Sequence, residues 1–319
     1  MITILWRNQY LCVYVVFLFQ KSVLTMKYNL EWLFENIKTE LDAVKFFQEN
    51  KIIPANKKCR RKHDMVFKEC AGNVVWRCSK SACGQERLSV RKDTWLEGST
   101  LPLKKIIIFI YSWSKEYTTI DFCIEELGIS KDTAVDFNNY LREVCAETIL
   151  KDPIIIGGEN KTVEIDETYY SKRKYNRGRE LPEQWVFGGI CRETKEVFLY
   201  AVENRNASTL TECIKKNIYP GTTIISDQWK AYSGIEQLKG YNFQHLTVNH
   251  SENFVDPTTG AHTQTIESLW HNLKMKKKRQ GGTHRQMIDS YLCEFAWRKR
   301  TEKSQHFSKI LIDISQFKC

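Results

Sequence analysis

The stretch YPGTTIISDQWKAY, Tyr219–Tyr232, decides how the second half of the chain is read. Thr222–Ser226 is a short β-rich run of the buried type, entered from Pro220-Gly221 and followed at once by an acid, Asp227. Trp229–Tyr232 reads as a short helical turn. Upstream, Thr162–Asp166 (TVEID) repeats the form: a β-rich run ending in a carboxylate. Trp185–Cys191 and Val197–Val202 are further strand patterns, separated by a charged turn near Arg192–Glu196. Thr209–Ile218, Thr265–Lys277 and Thr283–Lys299 carry helical periodicity. Three strands, a helix, a strand and a helix describe a mixed α/β unit. Acids at the C-terminal ends of neighbouring strands in such a sheet project into one crevice.

Three carboxylates therefore stand out: Asp166, Asp227 and, in the first turns of TIESLWHNLKMKKKR, Glu267. Held together they repel one another by several kcal/mol at low dielectric, so they persist when cations neutralise them. Hard oxygen ligands suit Mg²⁺ or Mn²⁺. Two such ions about 4 Å apart activate an attacking oxygen and stabilise a leaving one in phosphodiester chemistry. The plainer reading is three surface acids at turns and on a helix. Glu167 competes with Asp166. Glu164 shares the strand face of Asp166 by two-residue alternation, either as a group behind the site or on a solvated face.

The segments IDETYYSKRKYNRGR, WVFGGI, NRNASTL, YPGTTIISDQWKAY and VNHSENFVDPTTGAHTQTIESLWHNLK, in that order from about Thr162 to Arg300, resemble the catalytic domain of Merlin-type transposases. These are eukaryotic relatives of bacterial insertion-sequence transposases with a DDE core. The resemblance implies a ribonuclease-H-like fold, with Asp166, Asp227 and Glu267 in the family's three metal-binding positions.

Cys59, His63, Cys70, Cys78 and Cys83 cluster in the first half. Zinc needs four soft or borderline ligands brought together by tight turns. Cys78 and Cys83 make one half-site; Cys59 with His63 is the favoured other half, with Cys70 as the substitute for His63. The alternative is a degenerate module with free thiols. Merlin-like proteins resemble this region too, through a zinc-ribbon-like module; here Trp76–Cys78 and Ser89–Arg91 match its WRC and SVR elements, while Lys62 stands where its second cysteine belongs. Cys123, Cys145, Cys191, Cys213 and Cys293 lie in apolar surroundings and read as small core residues.

Around these modules, Leu30–Gln48 reads as one amphipathic helix. Leu103–Ser114, Thr119–Leu127 and Lys131–Leu150 read as three more, with Gly128 closing the second and Ser130 capping the third. A short helix, a glycine turn and a longer helix outline a helix-turn-helix, or an ordinary helical linker. The expected organisation is an extension at residues 1–25 outside the fold, an N-terminal helix at 26–55, the zinc-ribbon-like module at 56–100, the helix-turn-helix-like segment at 101–152, the catalytic domain at 153–303 and a C-terminal tail at 304–319. Leu11–Phe19 is apolar enough for a signal-peptide core but lacks a clean cleavage site, and Met26 reads as a natural start.

Lys+Arg is 48 against Asp+Glu 38, a formal net charge of +10, which fits a polyanionic partner better than a membrane. Eleven cysteines, an odd number spread along the chain, argue against a disulfide-stapled secreted domain. No stretch reaches the roughly 20 apolar residues that span a bilayer. Lys172, Arg173, Lys174 and Arg177 follow the first acid, and Lys274, Lys277 and Lys278 continue the helix of Glu267. Charge runs are usually solvated faces; beside an acidic site they are expected to hold DNA phosphates. His271 lies one turn beyond Glu267. Trp229, Trp270 and Trp297 read as core.

The resemblance implies a DNA transposase, with cleavage at transposon ends and strand transfer into target DNA. Its cofactors would be two Mg²⁺ (or Mn²⁺) ions and a Zn²⁺ in the N-terminal module. Its partners would be double-stranded DNA, as terminal inverted repeats and target, and further copies of itself; its place would be the nucleus. Two rivals stand beside it: a domesticated DNA-binding protein without transposition, and a ribonuclease-H-like nuclease.

Overall fold

The computed structural model describes residues 28–70, 73–170, 184–249, 252 and 254–317. The expected extension at 1–25 lies outside them. The chain divides into two compact units, residues 1–144 with 301–319, and residues 145–300.

In the first unit, the stretch expected to form one helix is two, α1 (Leu30–Asn36) and α2 (Glu40–Glu49). The break has a local cause. Thr39 is extended, and its hydroxyl accepts the Asp42 amide while the Asp42 carboxylate accepts the Thr39 amide. This reciprocal cap stabilises a new start where apolar periodicity alone would carry the helix through. Strands β1 (Met65–Cys70), β2 (Asn73–Cys78) and β3 (Arg87–Ser89) form an antiparallel sheet in that order. Phe67 stands opposite Trp76, their rings stacked at 4.0 Å.

Helices α3 (Leu103–Ser114), α4 (Ile120–Glu125) and α5 (Lys131–Lys151) follow. Gly128 takes the left-handed conformation after α4, and Ser130 Oγ accepts the Thr133 amide at the start of α5. The segment expected as a tail contains a helix, α9 (His306–Gln316), which follows three helices of the second unit in the chain and packs against α3. Phe307, Ile310, Leu311 and Ile314 are buried along one face, and the Phe307 ring meets Tyr28, Phe46 and Tyr111.

The second unit holds strands β4 (Ile156–Gly157), β5 (Thr162–Tyr169), β6 (Trp185–Cys191) and β7 (Val197–Val202). Helix α6 (Ala207–Asn217), strands β8 (Ile218–Tyr219), β9 (Thr223–Asp227) and β10 (Gln244–Val248), and helices α7 (Gln264–Arg279) and α8 (Ile288–Arg300) complete it. The main sheet runs β10-β9-β5-β6-β7. β5, β6 and β7 are antiparallel neighbours, while β9 lies parallel to both β5 and β10. This is a mixed α/β unit, as the strand and helix patterns predict. Its core joins Val163, Ile165, Phe187 and Ile224 of the sheet to Ile266, Leu269, Trp270 and Leu273 of α7. Among the described residues no helix is long and apolar enough to cross a membrane.

Candidate active site and metal centre

β5 and β9 run side by side in one direction, with Glu164 beside Ile225. Two residues further along each strand stand Asp166 and Asp227, on the face that Glu164 shares. Burial, then the Glu167 charge, push the Asp166 carboxyl up to about 7; the Asp227 charge adds to this, against a hydrogen bond from Trp270 and one from the Glu167 backbone. Glu167 is also raised, first by burial, although the Tyr232 hydroxyl donates to it and Arg205 lies 3.5 Å away. Asp227 Oδ1 accepts the Trp229 amide at 3.0 Å. Asp166 and Glu167 thus each feel the Asp227 charge on top of burial, which penalises their ionised forms.

Helix α7 is fastened across this face at two points. The fully buried Glu164 accepts the Ile266 amide at 2.9 Å and is braced by Arg192, whose Nε donates to it at 2.6 Å. Thr263, ahead of the helix, provides no side-chain cap, so Glu164 supplies from a distant strand the acceptor that the first turn needs. One turn on, Trp270 Nε1 donates to Asp166 Oδ2 at 2.9 Å. Gly188, opposite Asp166 on β6, makes room for that indole: a Cβ there would lie 2.8 Å from Trp270 Cη2 and 2.9 Å from the Phe198 carbonyl oxygen.

Glu267 sits between the two fastenings, one residue after Ile266 and three before Trp270. It is exposed, and its Oε1 accepts the Thr263 hydroxyl at 3.0 Å. The structure thus pairs Asp166 with Asp227 and holds the helix of Glu267 over the same face. Oxygen ligands of this number and charge fit a hard divalent cation.

Of the residues expected to bind DNA, Lys172, Arg173, Lys174 and Arg177 lie outside the described residues. His271, Lys274 and Lys278 are exposed on α7. Lys277 is half-buried; its Nζ donates to the Tyr170 carbonyl at 2.6 Å and lies 4.4 Å from the centroid of that ring. Trp297 is core, as its surroundings predict. Trp270 is core and also a site residue, a role its position one turn from Glu267 could have signalled. Arg205, Trp185 and Tyr232 lack any such spacing signal.

In the first unit, Cys59, His63, Cys78 and Cys83 bring one ligand atom each within 4.8 Å of all the others; among the described residues this is the only such group. The acids at the sheet end are set more widely. Cys59 Sγ lies 3.7 Å from Cys83 Sγ and 3.6 Å from His63 Nδ1, and His63 Nδ1 lies 3.0 Å from Cys83 Sγ. A tetrahedral zinc with bonds of about 2.3 Å to sulfur and 2.0 Å to nitrogen sets sulfur–sulfur edges near 3.8 Å and sulfur–nitrogen edges near 3.5 Å. The Cys59–Cys83 and Cys59–His63 separations fit that ion, the His63–Cys83 one is about 0.5 Å shorter than its edge, and Cys70 is outside the group.

Residues 156–300 match the family model of the ISXO2-like transposase domain. The male abnormal protein mab-31 of Caenorhabditis elegans is 22% identical over 254 residues, 72% of this chain and 58% of that protein. The chain therefore spans less than two thirds of that relative's length. An uncharacterized transposase-like protein of Haemophilus influenzae is 23% identical over 103 residues, 32% of this chain and 80% of its own. The catalytic core domain of BIV integrase is similar to 43% of this chain over 80% of its own length, at 15% identity and a TM-score of 0.31. Over residues 156–300 this chain is therefore similar to the ISXO2-like transposase domain, a domain of DDE-type transposases.

Proposed function

We propose that this chain is a DNA transposase that cuts DNA at transposon ends and joins the freed 3′-hydroxyls to target DNA. It would do so with Asp166, Asp227 and Glu267 as ligands of two Mg²⁺ or Mn²⁺ ions. The observation that carries the reading is that Asp166 and Asp227 each lie two residues beyond the Glu164–Ile225 pair of adjacent parallel strands, with the helix that carries Glu267 bonded to Asp166 through Trp270. Divalent ions held there would supply the positive charge and Lewis acidity that phosphodiester cutting and joining require.

The chain's own residues prepare the site. The Trp270 indole fixes one oxygen of Asp166, and the Trp229 amide fixes one oxygen of Asp227. Glu164 and Arg192 hold the first turn of α7, and the Thr263 hydroxyl orients Glu267. Exposed His271, Lys274 and Lys278 continue the same helix as phosphate contacts. The Cys59, His63, Cys78 and Cys83 set takes zinc and stabilises the small antiparallel sheet, which with α3–α5 recognises terminal inverted repeats. Two ends must be cut together, so the working form is a homo-oligomer on DNA. Its place is the nucleus.

The test is strand cleavage of duplexes built from inverted repeats flanking the gene, with Mg²⁺. Cutting that Asp227→Asn abolishes, with DNA binding retained, supports the reading. Binding without cutting supports a domesticated DNA-binding protein, and cutting confined to RNA–DNA hybrids a ribonuclease-H-like nuclease.

A further inference from the structure

Beside the acids stands a cation that none of the expectations above includes. Arg205 precedes α6, and its guanidinium carbon lies 3.6 Å from the centroid of the Trp185 ring and 5.0 Å from that of Trp229. Its Nη1 is 3.5 Å from Glu167 Oε1. Both neighbours tie it to the aspartates. Glu167 follows Asp166 in the chain, and the Trp229 amide is bonded to Asp227. Glu167 is itself held by the Tyr232 hydroxyl and is 7% exposed, whereas the Arg205 side chain is 38% exposed.

Stacking on indoles occupies the faces of a guanidinium and leaves its edge, which carries the N–H donors, for an anion. The separation to Glu167 is that of an ion pair rather than of a tight bidentate bond. A guanidinium is a poor permanent occupant of a site for dications, because cations at the carboxylates repel it. Its fork does match the two non-bridging oxygens of a phosphodiester. We infer that Arg205 is a phosphate-binding residue of the active site, held by Trp185 and Trp229 to grip a DNA backbone phosphate beside Asp166 and Asp227. The inference rests on the proposed DNA-cutting function and adds the subsite that seats the strand. Glu167 is the parking partner of the guanidinium before DNA arrives.

The test uses the full chain and a labelled duplex, with Ca²⁺ in place of Mg²⁺ so that binding is read without turnover. Removing one phosphate contact lowers the slope of log binding constant against log salt by about 0.9. Arg205→Ala is expected to show that loss. Arg205→Lys, which keeps the charge, is expected to restore the slope. With Mg²⁺ and terminal-repeat DNA, both variants are expected to cut about 100-fold more slowly, since Lys lacks the planar fork. The double variant Glu167→Gln/Arg205→Ala distinguishes a phosphate ligand from a counter-ion. If Arg205 merely neutralises Glu167, removing both charges restores wild-type cutting and salt slope, and the inference fails. It also fails if Arg205→Ala keeps the wild-type slope, or if Arg205→Lys cuts at the wild-type rate. Should the wild-type chain bind DNA but cut none, the transposase reading falls while the salt slope still decides Arg205.

Discussion

Asp166→Asn isolates the cost of burying an acid beside Glu167 and Asp227. The carboxyl is pushed from an ordinary 3.8 up to about 7. A raised acid binds its proton more tightly folded than unfolded, so its contribution to stability is present below about pH 4 and is lost as pH rises towards 7. The shift of roughly three units, at about 1.4 kcal/mol each, comes to about 4 kcal/mol. This is an upper bound, because Asp166 keeps some contact with solvent. In EDTA at pH 8 the Asn variant should therefore be more stable than wild type by up to that amount. The advantage should shrink to nothing near pH 4. The Asn side chain still offers an oxygen to the Trp270 indole, so that hydrogen bond is not part of the difference. Urea unfolding of the full chain, followed by tryptophan fluorescence from pH 4 to 8, measures this. Saturating Mg²⁺ should reverse the order, since it stabilises only the form that binds it. A variant no more stable than wild type at pH 8 would refute the reasoning.

Gly188→Ala should push Trp270 away from Asp166, because the new methyl would meet the indole at 2.8 Å and a backbone oxygen at 2.9 Å. A loss of about 1–3 kcal/mol in unfolding free energy is expected, with a changed Trp fluorescence spectrum. Glu294 is buried between Lys276 (2.8 Å) and Arg298 (2.7 Å), and Glu294→Ala should cost about 3–5 kcal/mol in denaturant titrations at pH 7. Despite its burial, the charges of Lys276 and Arg298 hold its carboxyl down to about 2, so the stability it confers should hold above about pH 4.5 and fade as pH drops towards 2. Elemental analysis should find one zinc per chain, retained in Cys70→Ser and lost in Cys78→Ser; zinc retained in both would show that the four-residue set is not the ligand set.

The strand Val197–Val202 was legible as an unbroken apolar run, Trp185–Cys191 as an apolar run interrupted only by two glycines, and the helix Leu103–Ser114 as an apolar stretch opened by Pro102. The start of α2 was not, because the hydrogen bonds between Thr39 and Asp42 interrupt a periodicity that continues through them. β10 was missed because Gln244–Val248 is short, largely half-exposed and polar at three of its five positions, Gln244, His245 and Thr247. The C-terminal helix could have been found from Phe307, Ile310, Leu311 and Ile314, whose spacing is helical. At the site, the two aspartates were visible, although only Asp227 ends its strand: β5 runs three residues past Asp166, to Tyr169. The Glu164 bracket, Trp270 on Asp166 and the Arg205 stack were not, because each depends on residues far apart in the chain meeting in space.

Titration of the full chain with Mn²⁺, comparing Asp166→Asn, Asp227→Asn and Glu267→Gln with wild type, weighs the ligand assignment directly. Each single change is expected to weaken binding by at least tenfold, Glu267→Gln included. Wild-type affinity in Glu267→Gln would mean that the helix contributes no ligand and that the aspartates alone, or none of the three, hold the ions.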